Sequence, residues 1–238
     1  MTSDAALASE PDPASGRPVG LPVDTSAALL PGAVTLKGRF GHIEKLDARH
    51  GRDLWQAVKG HDALWPYMGY GPFAAESEFL DWVVQRAALA DPYAFAIADA
   101  AGRAVGIATL MEIRPAMRVI EVGHIVYSPA LQRTPLATEA QYVLARHVFE
   151  TLGYRRYEWK CNALNAPSRR AAERFGFTYE GTFRQHTIVK GRNRDTAWFS
   201  MLDSEWPALK AAFERWLDPD NFDAAGKQKR RLDGATDA

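Results

Sequence analysis

The stretch LQRTPLATEA, Leu131–Ala140, decides how this chain is read. It joins a strand-like run, Val119–Tyr127, to a helical run, Leu136–Leu152, and it contains no glycine. Thr134 is a good helix N-cap. Pro135 then falls at the first helical position, where its missing N–H is no loss and its φ is already helical. From such a helix end the amides of Leu136, Ala137 and Thr138 are expected to point outward, and with the macrodipole they form an anion site. Small Ala137 admits a ligand, Arg133 adds charge, and the hydroxyls of Thr134 and Thr138 add donors. A capped helix with no ligand fits the same residues equally well.

The flanking pattern supplies the architecture. Val34–Phe40 alternates as a strand, and Asp47–Val58 and Glu76–Leu89 have helical periodicity. Between those helices lies an aromatic loop rich in proline and glycine, LWPYMGYGPF. Ala94–Ala98 and Ala104–Ile113 read as strands joined by a tight turn, with Val119–Tyr127 as a third. In the long helix Leu144, Val148 and Leu152 form one stripe, and Gly153 sits at the left-handed C-terminal cap. Arg155–Asn162 is a strand and Pro167–Phe175 a short helix. Phe177–Val189 and Thr196–Leu202 make a hairpin around KGRN, and Glu205–Leu217 is a last helix. Strand, helix, strand from Val119 to Asn162 implies one parallel pair with a right-handed crossover. The fold class is therefore α/β, with helices on both sides of a mixed sheet.

Composition narrows the function. The chain has 238 residues, a formal net charge of zero and 47% hydrophobic residues, an ordinary balance for one globular domain. Zero charge argues against nucleic acid as a partner. No apolar run is long enough to span a membrane, and the first residues lack the basic and apolar regions of a secretory signal. A cytoplasmic location is the expectation. Cys161 is the single cysteine, read as a core thiol in a reducing compartment. The six histidines show no metal-ligand spacing, so no metal is expected. Residues 1–33 read as a disordered or extended arm, 34–217 as the domain, and 218–238 as a polar, solvated tail.

A second segment, Asn162–Phe177 (NALNAPSRRAAERFGF), adds Asn165 and Ser168 at the start of a short helix and Gly176–Phe177 at its end. With EVGH at Glu121–His124, QRTPLATEA at Gln132–Ala140 and GRNRDT at Gly191–Thr196, the chain resembles the GNAT superfamily of acetyl-CoA-dependent N-acetyltransferases. Within it, the likeness is to the Rim-type branch, which includes ribosomal-protein N-terminal acetyltransferases. The resemblance spans about residues 34–206. Two positions depart from the family pattern. Pro135 replaces the first loop glycine, removing one amide donor to the pyrophosphate. Ala172 stands where many members carry a tyrosine that protonates the leaving thiolate, a tyrosine also missing from Rim-type enzymes.

The resemblance implies a mostly antiparallel sheet with its one parallel pair at the CoA site. It implies acetyl-CoA as co-substrate, and a primary amine, from a protein N-terminus or a small molecule, as the attacking acceptor. A homodimer is a family-level expectation. Glu121, inside an apolar strand, is the candidate general base, with a raised pKa from burial; a structural ion pair is the competing reading. Backbone N–H groups near Ile125, Val126 and Tyr127 are expected to meet the developing oxyanion. Gln132, Arg133, Thr134, Leu136, Ala137 and Thr138 are assigned to the pyrophosphate, and Asn165 to the pantetheine or to ordering its loop. Ser168 is assigned as donor to the leaving sulfur, with simple helix capping equally open. Trp65 and Tyr70, with Tyr67 and Phe73, belong to the loop that shapes the acceptor site, joined by His186 from the hairpin; core packing is the equal alternative for these aromatics. His124 is expected on the face opposite Glu121, because strand side chains alternate. A non-catalytic acyl-CoA-binding module on the same fold is the alternative.

Overall fold

The structure, a computed structural model, describes residues 8–232. Its strands are β1 (Ser9–Pro11), β2 (Pro18–Gly20), β3 (Thr35–Lys37), β4 (Gly41–Lys45), β5 (Tyr93–Asp99), β6 (Ala104–Arg114), β7 (Val119–Tyr127), β8 (Arg156–Asn162), β9 (Thr178–Val189) and β10 (Arg192–Leu202). Its helices are α1 (Gly51–Val58), α2 (Glu76–Ala87), α3 (Pro135–Arg146), α4 (Ala166–Arg174) and α5 (Trp206–Leu217). Strands β3 to β10 form one sheet in the order β3-β4-β5-β6-β7-β8-β10-β9. Among the described residues only β7 and β8 run parallel, joined through α3. The expected α/β class and the single parallel pair are thus present.

Helices divide by face. One core holds Phe95, Ile97, Leu110, Ile120, Tyr157 and Phe199 under α3, α4 and α5. The other holds Leu54, Val58, Phe79, Val83, Ala96 and Val126 under α1 and α2. Each large side chain so enclosed contributes roughly 1.5–3 kcal/mol. Helix α3 is buried from Leu136 to Ala145, more than one apolar stripe predicts. Its outer face is covered by α5, where Trp206 stacks on Tyr142 at 6.2 Å and Phe213 lies 5.7 Å from the same ring.

Two boundaries differ from the sequence reading. The first strand is two, β3 and β4, antiparallel and reversed at Gly38–Phe40. The second was illegible because GHIEK offers a single apolar side chain, Ile43, which is nonetheless 1% exposed. The turn is held from α3: the Glu139 carboxylate accepts the N–H of Arg39 at 2.6 Å and of Phe40 at 2.8 Å. The long helix ends at Arg146 and widens into a π-turn over His147–Thr151, closed by Leu152 N–H to the His147 carbonyl. Gly153 follows at φ +76°.

Both ends of the described chain are tied down. β1 and β2 pair antiparallel, and Asp24 meets Arg118 at 2.9 Å. After Asp218 the chain folds back on α5 instead of running free into solvent. The Asn221 side chain, fully buried, donates to the Trp216 carbonyl and accepts the N–H of Arg230. Residues 1–7 of the arm and 233–238 of the tail lie outside the described residues.

Candidate active site

The site is made where β7 and β8 part. Their register runs from Val119↔Arg156 to Val122↔Trp159 and stops. Beyond it Gly123–Tyr127 pairs only with β6, so the edge facing β8 is open to a ligand. β8 instead continues beside β10. The opening therefore lies between two strands of one sheet, with α3 beginning at one end and α4 at the other.

A bulge in β7 changes which side chains share the site. Thr109 pairs with Gly123 and Ile107 with Val126, so His124 and Ile125 both oppose Ala108. His124 takes φ +47°, a left-handed value uncommon away from glycine. Before the bulge Ile120 and Val122 face α3; after it Ile125 and Tyr127 do. Val126 lies in the α1–α2 core, and His124 packs edge-on to Tyr70 at 5.7 Å on that side. His124 is therefore on the same face as Glu121, contrary to simple alternation, because the extra residue reverses the phase.

Glu121 is 5% exposed, and its carboxylate meets the Lys160 ammonium at 2.9 Å. Lys160 also reaches Glu158 at 3.0 Å and lies 4.1 Å from the centre of the Trp198 ring. Burial pushes the Glu121 carboxyl up, and Lys160 only partly offsets it. Glu158 goes the other way: burial opposes its charge, but bonds from Arg156 and Lys160 hold it below the ordinary carboxylate range. Both readings of Glu121 thus coexist in the geometry, a buried carboxylate that is also one arm of an ion-pair network. Lys160 was missed by sequence reasoning; its place in the alternation of β8, on the face of Glu158, was the available signal.

On the face of Glu121 and His124 the aromatic loop packs against the sheet, with Tyr70 edge-on to His124. Tyr70 lies 4.7 Å from Trp82, and Phe73 and Trp65 meet edge-on at 5.4 Å. Trp65 is 2% exposed, so it backs the wall and does not line it. The loop is fastened from two sides. Lys190, at the β9–β10 turn, donates to the carbonyls of Trp65 and Gly71, and the Tyr67 hydroxyl donates to the Leu164 carbonyl. His186 shares a hydrogen bond with Thr196 and packs 6.0 Å from Trp198, on the Lys160 side. Burial, followed by Arg86 and Arg194, pushes the His124 imidazole down to about 4.

At the entrance to α3, Thr134 has the expected cap geometry: its Oγ1 accepts the Ala137 N–H at 3.2 Å and donates to the Leu131 carbonyl at 2.7 Å. That corrects the expected amide array. Ala137 is already engaged, and Thr138 is the fourth residue after the cap, where the intrahelical ladder begins. Leu136 is left as the one uncommitted amide of the three. Arg133 is exposed beside it with φ +62°. The Thr138 hydroxyl accepts from Arg174 of α4 at 3.0 Å, which ties the two helix ends together. Gln132 binds the Tyr127 carbonyl at 2.8 Å, holding the loop to the end of β7. A cleft of about 690 Å³ lies beside Thr134 and Pro135, bounded also by Asp53 and Arg103.

Across the opening, Asn165 caps α4 by accepting the Ser168 N–H at 3.1 Å. The Ser168 hydroxyl accepts from the Trp159 indole at 3.1 Å and shares a hydrogen bond with the Cys161 thiol. Gly176 ends this helix at φ +88°, where a Cβ would fall 2.4 Å from Leu209. Cys161 is buried, and burial pushes its thiol up, the wrong direction for a nucleophile. Among the described residues no cluster of three or more His, Cys, Asp or Glu is arranged to hold a metal, and no helix is long and apolar enough to cross a membrane.

Comparison with known proteins agrees with this geometry. An "Acetyltransferase (GNAT) domain" matches residues 43–178, more than half of the chain. A crystal structure of a GCN5-related N-acetyltransferase from Brucella melitensis is 50% identical, covers 87% of this chain and 96% of its own, and superposes with a TM-score of 0.85. A GNAT-family structure from Chromobacterium violaceum ATCC 12472 is 41% identical over 79% of this chain and 97% of its own, with a TM-score of 0.75. A Bacillus subtilis protein named "Putative ribosomal N-acetyltransferase YdaF" is 28% identical over 172 residues, 71% of this chain and 92% of that protein. With a family model over more than half of its length and solved relatives of 50% and 41% identity, the chain belongs to the GNAT family of N-acetyltransferases.

Proposed function

We propose that this chain transfers the acetyl group of acetyl-CoA to a primary amine by direct attack, with Glu121 as general base. The observation that carries the reading is Glu121 itself: a carboxylate 5% exposed, at the last stretch of β7 before the strands part, with its basicity raised by burial. Acetyl-CoA supplies an activated thioester. Arg133, the Leu136 amide and the α3 dipole suit its pyrophosphate, and Asn165 borders the path of its pantetheine.

Glu121 takes a proton from the acceptor ammonium, directly or through one water. The freed amine then attacks the thioester carbon, so a C–N bond forms as the C–S bond breaks. Backbone N–H groups between Ile125 and Tyr127, unpaired toward β8, stabilise the negative charge that develops on oxygen. The Ser168 hydroxyl, turned from Cys161, donates toward the departing sulfur and regains the proton that the attacking nitrogen sheds. The name of the Bacillus relative supports a protein amino terminus as acceptor; a small amine fits the same chemistry.

Thiol release measured against a panel of amines tests the proposal. Glu121→Gln should lower kcat by at least a hundredfold while acetyl-CoA still binds. If the wild type binds acetyl-CoA and releases no thiol above background with any amine, the chain is a binding module on the same fold.

A further inference from the structure

The acceptor face carries more positive charge than the acetyl transfer needs. Arg86 stacks over Tyr70 at 5.0 Å and over Trp82 at 5.8 Å. Arg194 reaches the Thr196 hydroxyl at 3.2 Å from the other side of the cleft. Both lie near enough to His124 to depress its basicity. Among the described residues neither has a carboxylate within 4.0 Å, although other arginines in the same sheet are paired, such as Arg114 and Arg156 on Glu158. The buried carboxylates of this face, Glu121 and Glu158, are already taken by Lys160.

Unspent hydrogen-bonding atoms collect in the same place. The buried side-chain atoms without partners include Trp82 Nε1, His124 Nδ1 and Trp198 Nε1. Two of these are indole N–H groups, which can only donate. Buried donors with no acceptor are costly unless a ligand supplies one. Two unpaired guanidinium groups and two unused donors call for an oxygen-rich anion. An acceptor bringing only its ammonium would leave these donors without a partner.

From this we infer that the acceptor bears a carboxylate close to its reactive amine, and that Arg86 and Arg194 seat it beside His124 while the amine faces Glu121. The inference rests on the acetyltransfer proposed above. Two sources offer that chemistry: the α-carboxylate of a free amino acid, or an acidic second side chain in a peptide amino terminus.

Matched acceptors separate them. Alanine is compared with alaninamide, and the tripeptide amide Ala-Glu-Ala with Ala-Gln-Ala, by thiol release with acetyl-CoA. The carboxylate member of one pair should show a kcat/KM at least tenfold above its neutral partner, and the pair that does so identifies the source. Arg86→Gln and Arg194→Gln should each bring that ratio toward one. A ratio within twofold in both pairs for the wild type, or one unchanged in both variants, overturns the inference even if acetyl transfer proceeds. If no acceptor is turned over, calorimetric binding of the same pairs to the protein–CoA complex makes the same comparison: equal affinities overturn it, and tenfold tighter carboxylate binding sustains it without the catalytic reading.

Discussion

Lys160→Met isolates the energetics of the site. In the native protein one ammonium serves two carboxylates, Glu121 at 2.9 Å and Glu158 at 3.0 Å, with side-chain exposures of 11%, 7% and 5% for the three groups. Glu158 keeps Arg114 at 2.9 Å and Arg156 at 2.7 Å after the substitution. Glu121 keeps no cation, so the loss falls on it. Removing one partner of a buried pair costs about 3–5 kcal/mol. Methionine retains much of the apolar stem and a contact with Trp198, so the lower part of that range, about 3 kcal/mol at neutral pH, is expected. The pH dependence has a definite sign. The folded Glu121 carboxyl already sits above the ordinary carboxylate value because of burial, and loss of Lys160 raises it further. Such a group contributes stability below its unfolded value and loses that contribution as pH rises through the folded one. The deficit of Lys160→Met should therefore be small near pH 4.5 and grow toward pH 8. Urea unfolding followed by tryptophan fluorescence at several pH values measures it. Adding Glu121→Gln removes the stranded charge and should restore more than half of the loss. A deficit under 1 kcal/mol at every pH, or a double variant whose loss is the sum of the single ones, would refute the coupled network.

Two further substitutions test the scaffold and the anion end of the site. Glu139→Ala removes two charge-assisted bonds to the Arg39 and Phe40 amides, and a loss of about 3 kcal/mol is expected in thermal or urea unfolding; an unchanged midpoint denies Glu139 the role of holding the β3–β4 turn. Arg133→Ala should weaken CoA binding by about 1–3 kcal/mol in calorimetry without altering the fold, and an unchanged Kd removes Arg133 from the pyrophosphate site.

Much of the fold was legible because its elements carry strong local signals. Val119–Tyr127 is the strand the alternation predicts, and Thr134 and Pro135 start α3 as cap and first turn. β4 was not legible, since one buried isoleucine in GHIEK leaves no alternation to count. Nor was the break at Arg146, where the apolar stripe of Leu144, Val148 and Leu152 continues through a wider turn and stays buried. The folding back of the chain after Asp218 depends on one buried asparagine bonding backbone nine residues away, which composition does not register.

The sequence by itself determined the class of fold, the family resemblance and the residues that border the parted strands. Those properties are local: turn chemistry, periodicity and motif order are written along the chain. Only the tertiary structure decided that His124 shares a face with Glu121, since a single bulged residue reverses the phase of a strand. It also decided that Ala137 spends its amide on Thr134, that Lys160 stands between two carboxylates, and that among the described residues Arg86 and Arg194 stand without one. Such pairings join residues far apart in the chain, and their energies depend on which groups share a space closed to water.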